Sequence, residues 1–596
     1  MIDRRRLMLS AAAGAAAAGF APLAVSMAQD NADAALDRLM DQWLDEDLDR
    51  NPTSATGLGL DRGDKAYRAS SLGDYSVAGR QADRERALAR WTELQTVSTS
   101  GLSESGRINH AVAAFRTETA ARGARFPYGA GGRSPYVVTQ LSGAYFSVPD
   151  FLDNQHRVED AAGADAFLER LQAFGKALDD ETACIQADAA QGVTPPDFIL
   201  DLATGQIDTL AATPSDRLAL IQSLERKSAA AGLSGYGARG VTIVDQAVRP
   251  ALERQSAALK ALRAAASSDA GVWRLPDGQA LYAQGLRSNT TTTLTAAEIH
   301  QMGLEQVAEI TAEIDAILKA QGMTQGTVGE RVQAMNDDPA QLWPDTDEGK
   351  VQLIESLNRQ VAALDPLLPR LFGRLPRSGV EVRRVPPSIE AGAPGGYYQG
   401  PPLDGSRPGA YYINLRSTRN WPKFALPTLT YHEASPGHHL QVALQRESEH
   451  LPAWRRAGGF SAYNEGWALY AEAVAADDLN AYAQDPLGRV GFLMSYLFRA
   501  VRLVVDTGLH DQRWSRQRAI DYMAASGAKP RDAATSEINR YCVWPGQACA
   551  YKVGHTVIAR LREQEAAKPG FDLRAFHDKV LEAGSMPLAV LESRFA

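Results

Sequence analysis

The spacing of apolar residues predicts a chain built mostly of helices. From Asp33 to Leu44 the large apolar residues Leu36, Leu39, Met40, Trp43 and Leu44 recur at steps of three and four, the period of one helix face. Similar runs cover roughly 76–96, 104–121, 161–190, 215–232 and 240–268, punctuated by Pro195-Pro196 and Gly235-Tyr236-Gly237. Alanine-rich helices with charged outer faces predict helix-on-helix packing, and no repeat of fixed length is present. Leu275 to Thr293 reads as a loop with a short extended or helical piece. Thr295-Ala296-Ala297-Glu298 then forms a capping box that opens a helix to about Leu318. His300 falls in its second turn and reads as a helix-surface residue, while His110 and His156 read as ordinary surface or core histidines.

After another helical run over about 348–372 the period changes. Val380 to Val385 alternates, and Gly395–Tyr398 and Gly409–Leu415 are short, β-prone and bounded by turns. Helical pattern returns over about 424–446, 459–476, 484–508, 514–525, 531–540 and 546–562. The fold class is therefore mainly α: a large two-lobed helical fold with one small β-sheet. An N-terminal helical lobe over 29–290 precedes a lobe over 291–596. No flexible linker divides them, which predicts one tightly packed unit.

Composition narrows the picture. At 596 residues, 45% hydrophobic and 22% charged, the chain is ordinary globular protein, and a net charge of −9 with no basic tract excludes nucleic acid as the expected partner. Arg4-Arg5-Arg6-Leu7-Met8, an alanine-rich apolar stretch and Ser26-Met27-Ala28 read as a twin-arginine signal peptide over 1–28. Its removal takes away three arginines and one aspartate, so the net charge falls to −11. The expected location is the periplasm, without stable membrane insertion after cleavage. No cysteine precedes Cys184, which argues against a lipid-anchored N-terminus. Cys542 and Cys549 could pair across Trp544-Pro545-Gly546 or remain buried thiols; on a continuous helix they would stand about 10 Å apart, beyond disulfide reach.

The chemistry concentrates in Tyr431-His432-Glu433-Ala434-Ser435-Pro436-Gly437-His438-His439, directly after the predicted sheet. Catalytic zinc takes three protein ligands and leaves one position open. In the usual helical arrangement a second histidine follows the first by four residues, with glutamate between. Position 436 is proline, so the helix must be distorted there. A two-residue bulge at Pro436-Gly437 brings His438 into the second-ligand place beside His432, and leaves His439 as a neighbouring or substrate contact. Glu465, opening the helical run Asn464-Glu465-Gly466-Trp467, is the third ligand. Glu472 lies on nearly the same face and can hold a ligand histidine's outer N–H. Glu433, next to His432, cannot readily join the same ligand shell but can act as general base toward water. His510, held protonated by Asp506 one turn earlier, and Tyr541 are the candidate oxyanion donors. Arg540 and Lys552 are candidates for a substrate carboxylate. An edge strand of the sheet could pair with an extended peptide, or the sheet could be a meander that merely covers the cleft.

Asn464-Glu465-Gly466-Trp467-Ala468-Leu469-Tyr470 resembles the third-ligand stretch of zinc aminopeptidases. More broadly, the chain resembles a bacterial family catalogued as domain of unknown function 885. The marks are His432 to His439, Asn464 to Glu472, Asp506-Thr507-Gly508-Leu509-His510 with Trp514-Ser515, and Arg540-Tyr541 with Pro545-Gly546-Gln547-Ala548. The resemblance implies a zincin-like (gluzincin-type) metallopeptidase binding one Zn2+ ion and hydrolysing short peptides. The alternatives are a zinc amidase or esterase acting on a cell-wall or other small amide, and a non-catalytic periplasmic metal- or peptide-binding protein.

Overall fold

The structure, a computed structural model, describes residues 31–132, 134–387, 390 and 395–596. The predicted signal peptide lies outside the described residues. Within them the protein is mainly α-helical with one three-stranded sheet. Among the described residues no helix is long and apolar enough to cross a membrane.

Helix α1 (Ala161–Ala189) shows how the pattern becomes structure. Phe167, Leu171, Phe174, Leu178 and Ile185 share its buried side, and the Asp160 side chain caps it by accepting from the Gly163 N–H. The predicted capping box opens α2 (Ala296–Ala320): Thr295 Oγ1 accepts from the Glu298 N–H, and the Glu298 carboxylate accepts from the Thr295 N–H. Between these two, Gly278–Thr290 is one 13-residue helix, where the sequence predicts a loop with only a short extended or helical piece. Gly278 and Gly285 dilute its periodicity, but burial of Leu281, Tyr282 and Leu286 outweighs that weak local preference.

The sheet comprises β1 (Val380–Arg384), β2 (Gly396–Gln399) and β3 (Gly409–Ile413), in the order β1-β3-β2. β1 runs parallel to β3 and β2 antiparallel, so it is not the meander weighed from the sequence. β3 is buried throughout: Tyr411 and Ile413 face one apolar cluster with Leu426, while Ala410 and Tyr412 face another with Val385. β2 is left as an edge.

Beyond the sheet stand α3 (Leu426–Glu433), α4 (His438–Glu447), α5 (Ser461–Ala473), α6 (Pro486–His510), α7 (Arg531–Val543) and α8 (Ala550–Ala566). α6 packs along α2, and α5 packs along α8. His300 of α2 sits inside the first of these contacts, 9% exposed, with Nδ1 2.7 Å from Thr507 Oγ1. Its expected surface placement is thus corrected: the hydroxyl satisfies the imidazole and permits its burial. One apolar cluster joins Leu36 and Trp43 to Tyr282, Trp467 and Phe595, so distant parts of the chain share a core. Ser134 Oγ donates to the Val543 carbonyl and Gln140 Nε2 to the Asn539 carbonyl, tying the early chain to α7.

Candidate metal centre

The predicted helix over 424–446 is two helices. α3 ends at Glu433, α4 begins at His438, and Ala434–Gly437 turns between them, with the Ser435–Pro436 bond cis. The turn folds back tightly on α3. A Cβ on Gly437 would lie 2.0 Å from the His432 carbonyl oxygen and 2.4 Å from that of Tyr431, so no other residue fits without moving the chain. The Trp467 indole N–H donates to the Pro436 carbonyl at 2.9 Å, fastening this turn to α5. The bulge read from the sequence is therefore a full helix break, and it brings the His438 ring beside that of His432.

Three groups converge at the break. His438 Nε2 lies 3.2 Å from Glu465 Oε2, and His432 Nε2 lies 3.5 Å from the same oxygen. The two imidazoles stand edge to face, 4.8 Å between centroids. Ligand atoms around a tetrahedral ion with bonds of about 2.0–2.1 Å are roughly 3.3–3.4 Å apart, so this spacing suits one small ion. Among the described residues this is the one group of histidine, cysteine and carboxylate side chains close enough to hold a metal. His432 is buried, whereas His438 and Glu465 keep side-chain exposures of 12% and 21%, which leaves an open side.

Surrounding groups fix the donors. His432 Nδ1 is 2.8 Å from Glu472 Oε1 on fully buried Glu472, an arrangement that turns Nε2 toward the other two donors. Burial alone would lower the His432 pKa, but Glu465 and Glu472 together hold it up. Burial would likewise raise Glu465, yet His438 and His432 hold its carboxyl well below the usual range. Glu433 is different. It is 5% exposed, its Oε2 has no hydrogen-bond partner, and burial holds its carboxyl above the usual range against the lowering fields of His432 and His438. His439 points the other way, its Nδ1 3.0 Å from the Tyr398 hydroxyl on β2, and is not part of the three-donor group.

Several expected site residues are engaged elsewhere. His510 does not pair with Asp506. Its Nδ1 accepts from the Val272 N–H at 3.2 Å, its Nε2 lies 3.0 Å from the Tyr541 carbonyl, and burial lowers its pKa to about 4. Asp506 instead accepts from the Tyr282 hydroxyl and the Gly546 N–H. The Tyr541 hydroxyl donates to Glu537 Oε2 at 2.6 Å and accepts from Arg502 Nε. Neither residue is free to donate to an oxyanion as expected, because burial has satisfied each within the fold. Lys552 is 4% exposed, its Nζ 4.0 Å above the Tyr496 ring, and cannot receive a substrate carboxylate there. Cys184, Cys542 and Cys549 are buried free thiols.

Residues that the sequence did not single out also border the site. Tyr551 on α8 lies within the electrostatic field of Glu465, and Arg499 on α6 within that of Glu433. Tyr398 on the edge strand stacks over His438, 6.5 Å between ring centroids. No local motif marks these three, since each reaches the site from a separate element.

A family model described as "Bacterial protein of unknown function (DUF885)" matches residues 52–595. The crystal structure of a "putative lipoprotein" from Colwellia psychrerythraea superposes with a TM-score of 0.92 at 35% identity, covering 95% of this chain and 98% of that one. A "putative lipoprotein of unknown function" from Shewanella oneidensis shares the fold with a TM-score of 0.71 at 19% identity, covering 94% of this chain and 99% of its own. Among curated proteins none matches.

Proposed function

The chain belongs to the bacterial DUF885 family, and we propose that this member is an exported, gluzincin-type zinc peptidase that hydrolyses short peptides. The observation that carries this reading is the convergence of His432, His438 and Glu465 beside Glu433, a buried carboxylate with one oxygen unpartnered. Two imidazoles and a carboxylate with an open side are a donor set suited to catalytic zinc. Bound there, zinc would polarise the scissile carbonyl and acidify the attacking water.

The protein's own groups do the rest. Glu433 Oε2 takes a proton from the water as its oxygen bonds to the peptide carbonyl carbon. The raised Glu433 pKa makes that proton easier to hold and then to deliver to the leaving amine nitrogen as the C–N bond breaks. Glu472 keeps His432 in the required tautomer. The β2 edge, with Tyr398 over His438, offers main-chain groups along which an extended peptide can align. Export to the periplasm by the twin-arginine route rests on Arg4-Arg5-Arg6 and the following apolar stretch, and the description of the Colwellia relative as a "putative lipoprotein" supports export as such.

The test is Glu433→Gln. The zinc-loaded variant should keep one zinc by metal analysis and lose on the order of 10³-fold in kcat against a peptide mixture read by mass spectrometry. Wild-type turnover by that variant rejects the assignment.

A further inference from the structure

A cluster of cations lies beside the metal centre. Arg502, Arg540 and Lys529 gather around a single carboxylate, Glu537, and Arg499, one turn before Arg502 on α6, lies near Lys529. That carboxylate is heavily subscribed: Glu537 Oε2 accepts from Arg502 Nη2 at 3.2 Å, Arg540 Nη2 at 3.1 Å and the Tyr541 hydroxyl at 2.6 Å. Arg540 Nη1 donates to Gln547 Oε1, and Arg499 Nη1 to Ser495 Oγ. Arg502 Nη1 and Arg499 Nε are buried donors with no acceptor. Lys529 Nζ faces the Phe498 ring at 4.5 Å. Arg502, Lys529 and Arg540 share that one carboxylate, a surplus of two positive charges, and Arg499, which also lies in the field of Glu433, adds a further cation at its edge. A buried guanidinium N–H without an acceptor is costly, and an anion entering from the open side would complete those of Arg499 and Arg502.

Position ties the cluster to the reaction. The Tyr551 ring lies under Arg502, 4.4 Å from its guanidinium carbon, and 5.9 Å from that of Arg499. Tyr551 is one turn before Gly554, where α8 touches α5 at Gly466, the neighbour of Glu465: a Cβ on Gly466 would lie 2.5 Å from the Gly554 carbonyl carbon. Arg499, Lys529, Arg540, Gln547 and Tyr551 are all only half-buried, so the cluster opens to solvent. A planar guanidinium pair with free N–H groups matches a carboxylate better than any neutral group.

We propose that this cluster receives a carboxylate of the substrate, the C-terminal α-carboxylate, so that the peptide is cleaved at a fixed short distance from its C-terminus. The assignment rests on the peptidase reading above and names its substrate class: peptides with a free C-terminal acid. Water adds to the scissile carbonyl, the C–N bond breaks, and the released amine carries the C-terminal residue or residues still held by the cluster.

The test uses full-length, zinc-loaded protein and peptide pairs identical except for a C-terminal acid or amide. The acid should be favoured in kcat/KM on the order of 30-fold or more, with cleavage only near the C-terminus. Amidated peptides carrying an internal Asp or Glu separate the two sources of carboxylate; if they are cleaved as well as the free acid, the α-carboxylate assignment is overturned. Arg499→Gln and Arg540→Gln should each shrink the acid-to-amide ratio severalfold, a change that general destabilisation does not produce. Binding supplies a readout independent of turnover: zinc-loaded Glu433→Gln should bind the acid peptide on the order of 30-fold more tightly than the amide. If no peptide is hydrolysed but that preference appears, the peptidase reading falls and the carboxylate site stands. Equal affinity, or a ratio unchanged in both arginine variants, overturns the carboxylate site.

Discussion

His432 Nδ1 and Glu472 Oε1 stand 2.8 Å apart across two helices, wholly out of water. A neutral imidazole can present Nε2 as a donor to metal only if its proton sits on Nδ1, and Glu472 holds it there. Glu472→Gln keeps the shape but weakens that preference. Zinc affinity should fall by about 10–100-fold, measured by competition with a chelator. Unchanged affinity would show that the pair is structural only.

The helix break separates two adjacent histidines by role. His438→Gln should lose stoichiometric zinc in metal analysis of the purified protein. His439→Gln should retain one zinc but lose about 1–3 kcal/mol of stability, because its buried contact with the Tyr398 hydroxyl is removed. The reverse outcome would move the second donor to His439.

This site was legible in the sequence to an unusual depth, and the reason is physical. Pro436 at the position of a second ligand forbids a regular helix, so a break there is written into the residue itself. Glu465 and Glu472 share a helix face by spacing alone. What the sequence did not disclose were relationships made by packing between separate elements. His510 and Asp506, four residues apart on one helix, suggested a pair, yet Val272 and Tyr541 claim the imidazole from either side. Tyr551, Arg499 and Arg502 come from helices whose local pattern gives no sign that they meet. The same holds for Gly278–Thr290, whose helix exists because tertiary burial rewards it.

Glycine at the α5–α8 crossing sets how near Glu465 comes to α8. A Cβ on Gly554 would sit 1.9 Å from the Ala462 carbonyl oxygen, which belongs to a helix backbone and cannot swing away. Gly554→Ala should therefore destabilise by about 1–3 kcal/mol or more, and lower zinc affinity as α5 is displaced. Gly205→Ala is the contrast: this glycine lies within the helix Asp197–Ala212, and a Cβ there would meet nothing within 4 Å. It should stabilise by about 0.4–1 kcal/mol. Thermal unfolding of both variants should move in opposite directions, and equal losses would contradict the close approach.

Far from the metal centre, Glu181 of α1 offers a pH test of the core. Both of its oxygens accept from the Ala144 N–H at 2.9 Å, and Gln255 Nε2 approaches at 3.4 Å. Gln255 Oε1 has no partner, and burial pushes the Glu181 carboxyl up to about 8. A folded-state pKa above the unfolded value means that the native state binds its proton more tightly. The resulting stability is complete below about pH 4.5 and is lost as pH rises through about 8. Glu181→Gln keeps an acceptor for Ala144, supplies a donor toward Gln255 and cannot ionise. Its advantage over the wild type should be near zero at pH 5 and should grow to a few kcal/mol by pH 8.5. Denaturant unfolding of both proteins across that range measures it, and parallel pH profiles would show that Glu181 is ionised in the fold at neutral pH.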